Sequence, residues 1–225
     1  YMSGAGSVLA LPFDPRRMAT LGAPVQVLQD VDFQNGHSAT FSASRSGNTA
    51  IYQSGPDREG LRTSRDRTLE WIDESGAVDR IAARPIELHR SAWLRLSPDD
   101  GRVAYRGVDD GLWVRALADG PDLRLMEDEP YEWEWFASGD ELLVVTERGT
   151  AVQRLLADGS RAAEAVLRSE QPVASLEPTS DPNVWLASVG ATGVRDIRRL
   201  NLESGEMSEV LATEADERGP ALSPD

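Results

Sequence analysis

Two turn signals recur along this chain with one common period. The first is Ser44-Arg45-Ser46-Gly47, Ser97-Pro98-Asp99-Asp100-Gly101, Ser138-Gly139-Asp140, Thr179-Ser180-Asp181-Pro182-Asn183 and Ser223-Pro224-Asp225. With Ser44, Ser97, Ser138, Thr179 and Ser223 taken as equivalent, the spacings are 53, 41, 41 and 44 residues. The second signal ends in glycine: Glu74-Ser75-Gly76, Ala118-Asp119-Gly120, Ala157-Asp158-Gly159 and Glu203-Ser204-Gly205, with glycine spacings of 44, 39 and 46. Chance would have to place both markers in phase, so the chain is an array of like units.

Between the markers the segments have strand character. In one unit they are Ser91-Ala92-Trp93-Leu94-Arg95-Leu96, Arg102-Val103-Ala104-Tyr105-Arg106, Leu112-Trp113-Val114-Arg115-Ala116-Leu117 and Asp122-Leu123-Arg124-Leu125-Met126. Partial alternation, β-branched and aromatic residues, and Asp/Gly/Pro punctuation favour strands over helices. The turn chemistry has a physical basis. Proline presets φ at a corner, aspartate bonds its own backbone, and glycine supplies the positive φ that a tight hairpin demands. The Ser and Asp of these turns are accordingly turn formers rather than catalytic groups.

Four strands in a unit of 40–45 residues, joined as consecutive hairpins, is the pattern of propeller blades. The expected fold class is therefore all-β: antiparallel four-stranded blades of a β-propeller. One such sheet cannot bury both faces alone, and packing neighbouring blades around an axis solves that. Residues 1–36 read as the last two strands of a blade, within 7–31. Blades follow at 37–88, 89–130, 131–171 and 172–216, and 217–225 reads as the first strand of a further one. The chain is thus expected to be one propeller domain, cut at both ends. The unit at 37–88 is the longest, and its excess is the polar stretch 54–66, an extended loop between the second and third strands.

Composition removes several chemistries. All 23 basic residues are Arg and there is no Cys. Without Lys there is no P-loop, no Schiff base and no complete kinase ATP site. Without Cys there is no thiol nucleophile, disulfide or thiolate zinc site. The net charge of −15 disfavours nucleic acid and anionic lipid as partners, and solubility alone also accounts for it. The apolar runs are far too short to span a bilayer, so no membrane insertion is expected.

The Ser-Pro-Asp-type turn followed by a strand like Arg102-Val103-Ala104-Tyr105 resembles the TolB-like, or PD40 (WD40-like), β-propellers of bacteria. Three stretches resemble more closely the propeller that stands behind the catalytic domain of bacterial membrane-anchored serine/threonine protein kinases. They are Leu11-Pro12-Phe13-Asp14-Pro15-Arg16-Arg17, Leu21-Gly22-Ala23-Pro24-Val25-Gln26-Val27-Leu28 and Thr68-Leu69-Glu70-Trp71-Ile72-Asp73-Glu74-Ser75-Gly76. The resemblance implies a sensor or interaction module of a larger signalling protein, outside the cytoplasmic membrane. Only the turns at Ser97 and Ser223 keep the full Ser-Pro-Asp form. The family motif is structural and carries no catalytic residue across.

The candidate contact residues are few. His37 and His89 each precede a first strand and fall one position apart in successive units, so they are placed at one end of a central channel. Two His without Cys are too few for a zinc site, which takes about three or four protein ligands. Trp133 and Trp135 share a strand face and alternate with Glu132 and Glu134. Two accounts are open for them: an aromatic platform for a ligand near the channel, or packing between blades. No catalytic, cofactor or metal residue is expected. The anticipated role is recognition of a protein, peptide or small ligand. The rival is enzymatic by association: a propeller gating a prolyl-oligopeptidase-type serine peptidase, whose Gly-x-Ser-x-Gly elbow does not occur in these 225 residues. A TolB-like periplasmic scaffold is the third reading.

Overall fold

The computed structural model describes residues 2–3, 7–14, 16–29, 31, 33–34, 38–39, 41–43, 50–52, 66–67, 70–72, 78–80, 86–89, 93–118 and 120–222. Their strands form four four-stranded antiparallel sheets, here blades A to D. Blade A is Phe41–Ala43, Ala50–Tyr52, Glu70–Ile72 and Val78–Arg80. Blade B is Leu94–Leu96, Arg102–Arg106, Leu112–Ala116 and Asp122–Met126. Blade C is Glu132–Trp135, Glu141–Thr146, Ala151–Leu156 and Glu164–Arg168. Blade D is Val173–Pro178, Val184–Val189, Asp196–Asn201 and Glu206–Leu211. In blades B, C and D sequence neighbours pair as sheet neighbours, which is what short hairpins between strands produce, whereas in blade A the strand Asp66–Arg67 lies in sequence between the paired second and third strands. Ahead of blade A, Ser7–Ala10 lies between Met2–Ser3 and Val25–Leu28 in a three-stranded sheet. Of the expected loop at 54–66 only Asp66 is among the described residues, and Asp66–Arg67 pairs with Ile86–Glu87.

The first strands of successive blades pack side by side, so the first strand of each blade is innermost. Burial agrees. The second strand of blade C is buried at every position but its first, whereas the fourth strands of the three later blades hold no fully buried residue. Side chains alternate between the two faces of each sheet, so each blade feeds two seams. Leu94, Leu96, Val103 and Tyr105 of blade B pack with Ile86 and Leu88 on the side of blade A. Ala104, Leu112 and Val114 turn the other way and meet Trp133, Trp135, Leu142 and Val144 of blade C. The opposite face of blade C supplies Leu143, Val145 and Val152, which pack on Val173, Leu176, Trp185 and Ala187 of blade D. The core is therefore a set of seams between sheets. Its aromatic contact across the C–D seam is edge-on, with Phe136 and Trp185 ring centroids 4.9 Å apart.

Backbone hydrogen bonds correct one equivalence drawn from the sequence. In blade B the Ser97 amide donates to Arg102 O, and Leu117 N donates to Gly101 O. In blade D the same pair is Thr179 N to Val184 O and Leu202 N to Asn183 O. In blade C it is Phe136 N to Glu141 O and Ala157 N to Asp140 O. Phe136, not Ser138, thus stands at the place of Ser97 and Thr179. The hydroxyls of Ser97 and Thr179 work inside the turn, with Ser97 Oγ accepting from Arg102 N at 2.9 Å and Thr179 Oγ1 donating to Val184 O at 2.7 Å. Blade C instead puts a core phenylalanine there and closes the turn with Gly139, at φ +77°.

Candidate functional site

The aligned turns place three residues at one register on three consecutive innermost strands: Arg95, Glu134 and Glu177. Each sits two residues ahead of Ser97, Phe136 or Thr179. Arg95 reaches across the B–C seam to blade C. Its Nη2 donates to Glu132 Oε1 at 2.9 Å, and its Nε lies 3.0 Å from Glu134 Oε2. The guanidinium also stacks 5.5 Å from the centroid of the Trp93 ring. Its own carbonyl accepts the Trp135 indole N–H at 2.9 Å, and Glu134 Oε1 accepts the Trp135 amide at 2.9 Å.

Glu132 is 2% exposed. Burial pushes its carboxyl up to about 7; Glu134 adds to the rise and Arg95 opposes it. For Arg95, burial pulls downward, but the two carboxylates outweigh it and hold the guanidinium above its ordinary value.

A second cluster lies at the end where the innermost strands begin. The His89 amide donates to Arg106 O at 3.1 Å, as the Tyr131 amide donates to Val145 O at 2.8 Å, so each closes the end of the second strand of its blade, although His89 stands eight residues ahead of Ser97 and Tyr131 five ahead of Phe136. His89 Nε2 is 3.5 Å from Asp110 Oδ1, and the Arg106 guanidinium bridges Asp110 to Glu129 Oε1 at 2.7 Å. The Arg106 hydrogen bond holds the Asp110 carboxyl below its ordinary value. Beside it, Asp109 accepts the Trp113 indole N–H at 2.9 Å and pairs with Arg124 at 3.1 Å.

The residues singled out from the sequence fall in different places. His89 is partly exposed beside Asp110, while His37 lies outside the described residues. Trp133 and Trp135 are 3% and 1% exposed, within the B–C seam, and Trp133 Nε1 has no hydrogen-bond partner there. Sequence reasoning missed Trp93 and Tyr131, which are 40% and 45% exposed at the same end as His89. Both fall in runs that read as strands, 91–96 and 131–136, and the structure begins those strands one residue after each of them, at Leu94 and Glu132, so alternation gave no sign of their exposure. Among the described residues no group of His, Asp and Glu is arranged to hold a metal ion, and no helix is long and apolar enough to cross a membrane.

No protein-family model matches the chain, and no curated protein matches it in sequence. Solved structures do match it in fold. A GH74 enzyme from Niastella koreensis superposes with a TM-score of 0.56 over 76% of this chain and 30% of that one, at 10% identity. An oligogalacturonate lyase from Vibrio parahaemolyticus superposes with a TM-score of 0.59 over 90% of this chain and 59% of that one, at 13% identity. A chain of a nidogen/laminin complex gives 0.60 over 87% and 71%, at 11% identity. The chain therefore spans less than two thirds of the length of the two enzymes. With its four-stranded antiparallel blades, it is similar to these proteins in fold: it is a β-propeller. At such identities the likeness establishes the fold and leaves function to the site.

Proposed function

We propose that this propeller is a non-catalytic recognition module of a larger bacterial signalling protein, of the kind in which a propeller accompanies a membrane-anchored serine/threonine kinase domain. Its units are those at 37–88, 89–130, 131–171 and 172–216. The observation that carries the recognition role is the exposure of Trp93 and Tyr131 at the end where the innermost strands begin. Tryptophan and tyrosine combine large apolar area with a polar tip, which suits them to contact surfaces. Around them the exposed charge is mainly carboxylate, from Glu127, Glu129 and Asp110, on a chain of net charge −15. The favoured ligand is therefore a basic peptide or protein segment, drawn in by the field and held on the rings. Trp133 and Trp135 contribute from behind, by fixing the strand that carries Glu132 and Glu134.

Two measurements test this. A panel of basic peptides and of neutral and acidic oligosaccharides is titrated against wild type, W93A and Y131A. Saturable peptide binding, weakened about tenfold or more by either substitution, is the expected result. Oligosaccharide binding with no peptide binding would replace the proposed ligand class, and binding indifferent to both substitutions would remove the site. For the parent protein, the flanking coding sequence decides. A kinase domain and a single apolar span upstream fit the signalling role. A Gly-x-Ser-x-Gly segment downstream would make this a peptidase gate.

A further inference from the structure

We propose that Arg95, Glu132 and Glu134 form a proton-sensitive clasp across the B–C seam, in which Glu132 takes up a proton as the surroundings acidify and tightens the contact between the two innermost strands. The argument starts from a count of charges. One guanidinium spends one N–H edge on Glu132 and another on Glu134, at 2.9 and 3.0 Å. With both carboxylates ionised the cluster holds one uncompensated negative charge. Glu132, where that charge is most costly, is 2% exposed. A single proton makes the cluster neutral, and it leaves one carboxylate on Arg95.

Among the described residues no second cation reaches the pair. Glu132 faces Arg95 from blade B and Glu134 from its own strand. The innermost strand of blade D, packed against that of blade C, brings Glu177 at the register of Glu134. Arg106 is committed to Asp110 and Glu129 at the end of the blade, and Arg154 of blade C to Glu141. The direction of the Glu132 shift, upward to about 7 from 4.5, agrees with this count.

The sign of the effect follows from linkage. A carboxyl whose folded-state value is raised stabilises the fold fully below its unfolded value. That contribution is lost as pH rises through the folded value. The window is therefore from 4.5 to about 7. Across it the clasp is lost with rising pH, by up to about tenfold in the folding equilibrium constant per pH unit for one proton.

The test is urea unfolding of the full chain across that window, for wild type, E132Q and E134Q. Taking differences from wild type cancels other titrating groups, His37 and His89 included. The amide of E132Q mimics the protonated acid, so its advantage over wild type should grow steadily from pH 4.5 to about 7. E134Q removes the competing carboxylate and lets Glu132 ionise against Arg95 alone, so its advantage should grow likewise. E134Q also keeps the test decisive if E132Q fails to fold. Curves for the variants that run parallel to wild type over the whole window would mean that Glu132 stays ionised, and would overturn the clasp.

Discussion

Asp100 occupies the corner of the blade B turn at φ +57°, a region that L-residues other than Asn and Asp seldom adopt. Its neighbour Asp99 is well used. It accepts from Ser97 Oγ and from the Gly101 amide, and its carboxyl is held below the ordinary range, chiefly by the Ser97 hydrogen bond. Asp100 gains nothing comparable. Its Oδ1 is buried without a hydrogen bond, and burial, with Asp99 beside it, raises its carboxyl. A raised carboxyl costs stability once pH passes its folded value. D100N keeps the left-handed corner and removes the charge. It should stabilise the fold by about 1 kcal/mol at neutral pH. The gain should fade below about pH 4, where the acid is protonated in both states. Urea unfolding of the two proteins at both pH values checks this, and an equal gain at both would point to the corner and not the charge.

At the scale of elements, the connections decide how closely blades approach. The turn between the second and third strands of blade C is a short 3₁₀ segment, Glu147–Gly149. It places Gly149 at φ +102° against the chain that leads into blade D. A Cβ built on Gly149 would lie 2.8 Å from Pro172 Cβ. G149A therefore combines a strained dihedral, about 1–2 kcal/mol, with a clash against a rigid ring. A loss of more than about 2 kcal/mol in thermal or urea unfolding is expected. Alanine at Gly193, also at positive φ but with open space around its Cβ, should cost only the dihedral.

Gly149 also shows what could be read in advance. The turn markers at Ser97, Gly120, Gly159 and Gly205 were legible because tight hairpins need those residue types. The blade C turn was misaligned by two positions, because a Phe136 side chain serves the seam where other blades use a hydroxyl. Gly149 carries no marker at all: its requirement comes from Pro172, a contact between blades that local chemistry does not announce. The candidate site was half legible for a related reason. Alternation put Glu132 and Glu134 on one face, but the partner Arg95 lies 37 residues away from Glu132 and appears only once the seams are built.

For the whole molecule, stability should behave as a sum over seams. Blades B and C each bury one face against the blade before and the other against the blade after, and the three buried clusters follow that order. Interactions within one seam should then be coupled and those in different seams independent. Phe136 and Trp185 share the C–D seam in edge-on contact, and Leu94 belongs to the seam on the far side of blade B. Each truncation to alanine should cost several kcal/mol, about 3–5 for the aromatic residues and 2–5 for Leu94. The double variant F136A/W185A should be less damaged than the sum of its parts, by about 0.5–1.5 kcal/mol. L94A/W185A should equal the sum to within about 0.5 kcal/mol. Urea unfolding of wild type and the five variants gives both coupling energies. Strong coupling between Leu94 and Trp185 would mean that the blades yield as one continuous core, and that strain at the B–C seam, including the charge on Glu132, is felt throughout the propeller and not where it arises.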